Sequence, residues 1–319
     1  MLTSPAQIHI PDGFLTPIVA ALGWLLAVVM ILLALRQTRR QLDDRMVPTM
    51  GVLAAFIFAA QAINFPVAAG TSGHLIGASL AAIVMGPWAA TLIMTAVLAV
   101  QALLFQDGGL LVMGWNIVNM GAIAAFSGYL AYSMARRLAG ESRVAVLAAA
   151  FAGGWISVVL ASLATAIELA ASGTSPLALA VAAMGSVHAL IGVGEGVITA
   201  AAVGLLLASR PGLLRAGAAA PGGRAATVVL IGLALALLVA AFSPLASPQP
   251  DGLEAVAESQ GFLALGQPAT YEILPDYSVP FISHPALTTM AAVMFGTLVV
   301  FGGAVLIGRL ATHRRSAGS

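Results

Sequence analysis

Residues 17–45 read PIVAALGWLLAVVMILLALRQTRRQLDDR, an unbroken apolar run from 17 to 35 followed at once by Arg36, Arg39, Arg40 and Arg45. A membrane-spanning helix needs about 20 mostly apolar residues, and arginines crowded against one end of such a run hold that end on the cytoplasmic side. The same grammar repeats along the chain. Further apolar windows lie at 47–69, 88–105, 115–134, 144–171, 179–208, 227–242 and 286–310, with a shorter one at 75–86. They predict an all-α, polytopic transmembrane helical bundle of about nine membrane helices. The third, at roughly 12 residues, is too short to span alone and reads as a short helix buried in the bundle or a re-entrant one.

The remaining arginines set the orientation. Arg136, Arg137 and Arg143 lie between the fifth and sixth windows, Arg210, Arg215 and Arg224 between the seventh and eighth, and Arg309, Arg314 and Arg315 after the last. Nine crossings put all of these on one side, which predicts the N-terminus outside and the C-terminus inside; an even number would scatter them over both faces. The third segment must therefore cross for the scheme to hold. Residues 1–16 have no basic start and no apolar core before a small-residue cleavage site, so they are not expected to be a cleaved secretory signal.

Composition agrees with that class and removes others. Hydrophobic residues make up 60% of the 319 and charged residues 8%, where a soluble domain carries about 25% charged residues. With no cysteine, a bound metal must use nitrogen or oxygen ligands. All 13 basic residues are arginine, so no Walker-type phosphate loop, which needs a lysine, can be formed and the chain cannot drive its own ATPase. No basic stripe or aromatic platform suggests nucleic acid. The Gly-, Pro- and Ala-rich stretch 210–225 reads as a flexible cytoplasmic linker. It divides the chain into a seven-helix unit, 1–209, and a two-helix unit, 226–319, which carries an external segment at 243–285.

On this topology His9, His74, His188 and His284 fall at or near the outer face, with Asp12, Asp107, Glu168, Asp251, Glu254, Glu258, Glu272 and Asp276. An acidic outer surface with imidazoles at its membrane boundary concentrates cations and offers them nitrogen ligands, although the arginine bias alone also leaves the outside acidic. His74 lies in Gly70-Thr71-Ser72-Gly73-His74-Leu75, a turn near membrane depth, where irregular backbone must line a cavity or be buried in protein; the alternative is a helix-capping turn with an incidental histidine. His9 sits in Ile8-His9-Ile10-Pro11-Asp12-Gly13-Phe14, which either folds back into the bundle mouth or forms a solvated tail. His188 and Glu195 are two turns apart on one helix face, in a stretch whose Gly192, Gly194 and Gly196 permit close helix contact. An intramembrane glutamate needs a partner to offset about 2.5 to 3.5 kcal/mol. Gln61 with Asn64, and Asn116 with Asn119, add amides that read as interhelical hydrogen-bond groups.

Several longer stretches are specific. His9 to Leu15, Asn64-Phe65-Pro66 with Gly70 to Leu75, Leu104-Phe105-Gln106-Asp107-Gly108-Gly109, Asn116 to Met120 and His188 to Gly196 together resemble the substrate-capture component of nickel and cobalt energy-coupling-factor transporters, across residues 8–208. Pro250-Asp251-Gly252-Leu253-Glu254 and Leu274-Pro275-Asp276-Tyr277-Ser278-Val279-Pro280 resemble external motifs of the small accessory component fused to it. The resemblance implies a multi-pass protein of the plasma or inner membrane that captures Ni(II) or Co(II) as transported substrate, with no organic cofactor. It also implies a separate transmembrane coupling subunit and two ATPase subunits as partners. The implied site is four nitrogens in a plane, a geometry suited to Ni(II): ring and backbone nitrogen of His9, the ring of His74, and a terminal amine. In this chain seven residues precede the position of the family's initiating methionine, which holds Ile8. An upstream start wrongly assigned, a removed extension and a backbone amide in the amine's place all remain open. Asp12, Asn64, Ser72, Asn116, Asn119, His188 and Glu195 are expected to support the site or a helix interface, and Asp251, Glu254 and Asp276 to belong to the accessory loop.

Three other readings compete. An ion-coupled secondary transporter needs midplane carboxylates and inverted repeats, for which only Glu195 is available. An intramembrane metallohydrolase needs three protein ligands to zinc and an open fourth position, and there is no His-Glu-x-x-His helix. A membrane scaffold leaves His9 and His74 unexplained.

Overall fold

The computed structural model describes residues 9–41, 43–68, 70–209 and 225–312. In chain order the helices are α1 (Pro17–Gln41), α2 (Val47–Gln61), α3 (Ala78–Met85), α4 (Pro87–Phe105), α5 (Met113–Ala139), α6 (Arg143–Ala171), α7 (Leu177–Ser209), α8 (Ala225–Ala241), α9 (Gly252–Gln260) and α10 (Pro285–Thr312). Every predicted apolar window forms a helix, and α9 is added from the external segment. The count differs slightly from the expected nine or so membrane helices: seven described helices are long and apolar enough to cross alone, whereas α2 has 15 residues and α3, expected to be short, has 8. The window at 47–69 stops at Gln61 because Pro66 cannot extend a helix. Phe65–Pro66 (β1) instead pairs antiparallel with Ser72–Gly73 (β2).

The chain nevertheless passes from one end of the bundle to the other through residues 74–86. Ser79, at the start of α3, lies between Gly128 of α5 and Gly153 of α6, and Gly153 is about 15 Å along α6 from its arginine end. So α3 fills the arginine half of the bundle, while non-helical residues 74–77 descend through the other half. Gly77 (φ +78) and Gly86 (φ +84) bound the helix in backbone conformations that a side chain would strain.

Backbone groups at that depth cannot turn to water. Glu195 of α7 accepts the amides of Ile76 and Gly77, at 2.6 and 2.9 Å. Gln61 donates Nε2 to the Ile76 carbonyl at 2.8 Å and accepts Gln101 Nε2 at 2.9 Å. Glu195 and Gln61 are both 0% exposed, so this polar knot sits inside the bundle.

The two ends separate by chemistry. Arg39 donates to the Ala311 carbonyl, joining the C-terminal ends of α1 and α10, and Val47 at the start of α2 meets Gly308 late in α10. This is the arginine, cytoplasmic end. The opposite end collects residues 9–16, the 62–77 segment, the 106–112 loop, and the described segment between α8 and α9 and onward to 284, through bonds such as Thr16 N to Ser172 Oγ and Ser247 N to the Asn64 carbonyl. Small residues allow the close packing: a Cβ on Gly154 would stand 3.0 Å from the Glu195 carbonyl and Gly196 Cα, and one on Gly114 would overlap the backbone of Trp24. Ile18, Leu25 and Leu32, 76%, 60% and 61% exposed, recur at seven-residue spacing on α1. That stripe faces lipid.

Arg45 lies in the described backbone, but Ile8, Arg210, Arg215, Arg224, His313, Arg314 and Arg315 lie outside the described residues, as does the expected linker except for Ala225.

Replacing Glu195 with Ala is expected to destabilise the protein by about 2–6 kcal/mol, since two buried amides lose their acceptor at about 1–3 kcal/mol each. Glu195→Gln keeps one acceptor and should recover part of the loss. Thermal unfolding in detergent checks both, and an unchanged Glu195→Ala protein would remove this carboxyl from its structural role.

Candidate metal centre

Two segments bring the outer histidines together. The first, residues 9–14, is laid into the bundle mouth as a backbone strap. Asn116 grips Ile10 from both sides, its Oδ1 accepting the Ile10 amide at 3.1 Å and its Nδ2 donating to the Ile10 carbonyl at 3.2 Å. Gly109 N donates to the same carbonyl at 2.9 Å. Asp12 accepts the amides of Leu110, Leu111 and Val112 at 3.1, 2.9 and 3.2 Å, which fixes the 106–112 loop against the strap. His9 is thereby 2% exposed. It is part of the buried mouth and not a solvated tail.

The second is the Gly70–Leu75 turn. Ser72 donates its amide to the Pro250 carbonyl at 2.8 Å and its hydroxyl to the Gln249 carbonyl at 2.7 Å. Asn64 contributes its carbonyl to Ser247 N at 2.8 Å. These bonds seat His74 so that its ring centroid is 5.7 Å from that of His9, the planes crossed at 65°. With metal–imidazole bonds of about 2 Å, two rings on one ion have centroids roughly 4.5 to 6.5 Å apart, so the pair is spaced to share a cation.

Hydrogen bonds select the same ring nitrogen on each histidine. His9 donates Nδ1–H to Asp107 Oδ1 at 3.0 Å, His74 donates Nδ1–H to the Leu75 carbonyl at 3.0 Å, and His188 donates Nδ1–H to the Met184 carbonyl at 2.9 Å. Each ring then carries its lone pair on Nε2, the arrangement in which an acceptor on one ring nitrogen orients the other for metal. His9 Nε2 is buried without a hydrogen-bond partner. A chelate from the His9 amide and its own ring closes through Nδ1, the nitrogen that here faces Asp107.

Asp107 was passed over as a site residue in the sequence, where it is one of many outer acids. It is 5% exposed, and its Oδ2 accepts the Tyr277 hydroxyl at 2.7 Å. Burial pushes its carboxyl up, but the neighbouring His9, the bonds from His9 and Tyr277, and His74 outweigh that and hold it below the usual carboxylate range. The signal available was its place after Leu104-Phe105-Gln106, where the last turn of α4 is π-helical over Gln101–Phe105 and Gln106 is left-handed (φ +56). A second π-helical stretch, Ile117–Ile123 in α5, follows Asn116. Such bulges often mark functional positions.

The pair lines a cavity of ≈ 60 Å³, together with His188, Asn116, Asn119, Met184 and Asp251 among others. That volume suits a partly hydrated ion and is far below the 300 Å³ or more of an organic-ligand site. Asn119 donates to Thr165 Oγ1 and Glu168 Oε2 at 3.1 and 3.0 Å, beside the cavity. Glu195 does not join the site, because both of its oxygens hold the start of α3. Among the described residues, no three His, Cys, Asp or Glu side chains are grouped to hold one ion.

The external segment lines one side of the cavity with Asp251, Gly252 and Leu253. Pro250-Asp251-Gly252-Leu253-Glu254 is a helix start: Asp251 is the N-cap of α9 and accepts Glu254 N at 2.7 Å. A Cβ on Gly252 would meet His188 Cε1 at 2.8 Å and Ile191 Cδ1 at 2.7 Å, so only glycine lets this turn reach the histidine. Burial raises the Asp251 carboxyl to about 7, opposed by the Glu254 amide. Glu254 is partly buried and Asp276 lies exposed at the surface, and partial loss of solvent raises each carboxyl.

Comparison with known proteins agrees with this architecture. The family model for the cobalt uptake substrate-specific transmembrane region matches residues 9–213, and that for the PDGLE domain matches 226–313. A putative fused nickel transport protein of Archaeoglobus fulgidus is 36% identical over 92% of this chain and 95% of its own. A fused nickel transport protein of Rhodobacter capsulatus is 30% identical over 97% of this chain and 100% of its own. A crystal structure of a truncated transition metal transporter superposes with a TM-score of 0.57 and 36% identity, covering 63% of this chain and 98% of that one. This chain belongs to the family of cobalt uptake substrate-specific transmembrane proteins, in the form that carries a PDGLE domain on the same polypeptide.

Proposed function

We propose that this protein is the metal-capture component of an ATP-driven uptake transporter, binding one Ni(II) or Co(II) between His9 and His74 at the outer end of the bundle. The pairing of the two rings across a small cavity carries the reading. Nε2 of His74 would supply one nitrogen of the implied four and the ring and amide of His9 two more, which requires the His9 ring to give up its Nδ1 bond to Asp107; the fourth position falls to the nitrogen of Ile8, which precedes His9 in the sequence, or to water. Ni(II) and Co(II) accept imidazole and amide nitrogen alike. The capture unit is 1–209 and the accessory unit 226–319.

Release inward requires that the strap and the His74 turn separate. The strap is held by Asn116 and by the burial of Ile10 and Phe14, and the His74 turn by the external segment above and Glu195 below, so a relative movement of the helices that carry these groups can part them. The chain has no lysine for a phosphate loop. Any ATPase must then lie on another chain, and the family resemblance implies a separate transmembrane coupling subunit and two ATPase subunits. A secondary-transport mechanism would use a midplane carboxylate; the bonds from Glu195 to Ile76 and Gly77 argue for a structural use of that group instead.

Titration of the purified full chain with Ni(II) and Co(II) should show one tightly held ion. His9→Ala and His74→Ala should each weaken binding roughly 100-fold or more, because a four-ligand site of about 10–16 kcal/mol apparent binding energy carries about 3 kcal/mol per ligand. Wild-type protein without stoichiometric binding would defeat the capture reading. In liposomes, uptake should need the coupling and ATPase subunits with ATP; transport by this chain alone, driven by an ion gradient, would favour a secondary transporter.

A further inference from the structure

The cavity shared by His9 and His74 extends beyond them between α5, α6 and α7. Its wall runs from Val158 to Thr165 on α6 and from Met184 to Ile191 on α7, about 10 Å along each helix at 1.5 Å per residue. These two helices are antiparallel, with Gly154 packed on Glu195 and Gly196 and Gly192 packed on Trp155, which puts Ser162 and Thr165 level with residues 182–188. Side chains converge on that level from both sides. A helical side chain leans toward the N-terminus of its own helix, so His188 leans outward, its Nδ1 on the Met184 carbonyl at 2.9 Å, while Glu168 on the opposed α6 leans inward to the level of Thr165. At ≈ 60 Å³ the cavity has room for roughly four water-sized species.

The polar groups on the α5 and α6 side are left with acceptors and no donors. Asn119 lines the cavity and gives both Nδ2 protons away, to Thr165 Oγ1 at 3.1 Å and Glu168 Oε2 at 3.0 Å. Thr165 gives its own proton to the Ala161 carbonyl at 3.3 Å, so it can only accept from Asn119, and the amide is fixed with Oδ1 as the end left over. Asn119 and Glu168 are 2% and 4% exposed, and Asn119 Oδ1 and Glu168 Oε1 are both buried without a hydrogen-bond partner. Two such oxygens cost about 1–3 kcal/mol each, a cost that a cation between them removes. We propose that this inner part of the cavity is a second cation position, in which an ion leaving the outer histidines is held by His188 Nε2, Asn119 Oδ1 and Glu168 Oε1 as its first step inward. The inference rests on the capture reading above. One imidazole and two oxygens, completed by water, bind Ni(II) or Co(II) less tightly than four nitrogens do, as a position on a path must if the ion is to leave it.

The test uses the full chain in detergent with Co(II) as the probe, read by titration, by the visible absorption of the bound ion and by thermal unfolding with and without metal. The double variant His9→Ala/His74→Ala lacks the outer pair. It should still bind one Co(II), at least about 100-fold more weakly than wild type, with visible bands that differ from those of the wild-type complex. Adding His188→Ala or Asn119→Ala should each lower that residual affinity by at least the roughly tenfold lost when a group behind a ligand is removed. Co(II) should raise the unfolding temperature of the double variant and not that of either triple variant. If the double variant does not fold, His74→Gln carries the same two additions. A folded double variant that binds no Co(II), or residual binding that either addition leaves unchanged, overturns the proposal. Failure of the capture reading looks different: the double variant would then titrate like wild type.

Discussion

Amide groups without water partners are the constraint around which this structure is built. Inside a bilayer an unpaired N–H costs several kcal/mol, yet residues 74–77 run through the outer half of the bundle without helical bonds. The Glu195 carboxyl resolves this by accepting the amides of Ile76 and Gly77, and Gln61 serves the Ile76 carbonyl. With those bonds in place a helix can begin at mid-depth, and the chain above it is free to make the turn that carries His74. Without them the segment would have to be helical throughout, which would carry His74 away from the mouth.

A second set of bonds assembles the mouth from segments far apart in sequence. The strap at 9–14 is held by Asn116, Asp12 and the glycines at 108 and 109, whose lack of side chains admits His9 Cβ and Asp12 at distances a Cβ would forbid. The accessory unit reaches both histidine segments: through Ser247 and Pro250 it holds the Asn64 and Ser72 region, and through Leu274 and Tyr277 it holds the loop behind His9. It also meets the strap itself, where Gln267 N donates to the Asp12 carbonyl at 2.7 Å and Phe262 packs edge-on to Phe14. One external segment is therefore in contact with both histidine segments. That gives fusion of the two units a physical meaning: both sides of the candidate site are braced from one polypeptide.

The helical class, the arginine-marked end and the His74 turn were legible in the sequence because each depends on local pattern. Apolar length fixes what can enter a membrane, and arginine position fixes which end stays inside. The polar knot was half legible: Glu195 was recognisable as a group needing a partner, but the partner is backbone 118 and 119 residues earlier, which leaves no residue-type signal. The window at 47–69 gives a shorter helix than its length suggests for a related reason. Apolar composition continues through 62–69 and 75–77, but Pro66, Gly73 and Gly77 turn those stretches into a strand pair and an extended descent.

Asp107 and Tyr277 show where sequence reading ended. Each sits in a recognisable motif, yet nothing in either motif says that the two meet, 170 residues apart. By itself the sequence determined a helical membrane protein without lysine or cysteine, outward-facing histidines and an acidic outer face, since these follow from composition and period. Only the tertiary structure decided that His9 and His74 lie side by side, that Asp107 bonds the His9 ring and that Tyr277 of the external segment bonds Asp107. Those depend on contacts of a few ångströms between segments that the chain brings together only after the helices have packed.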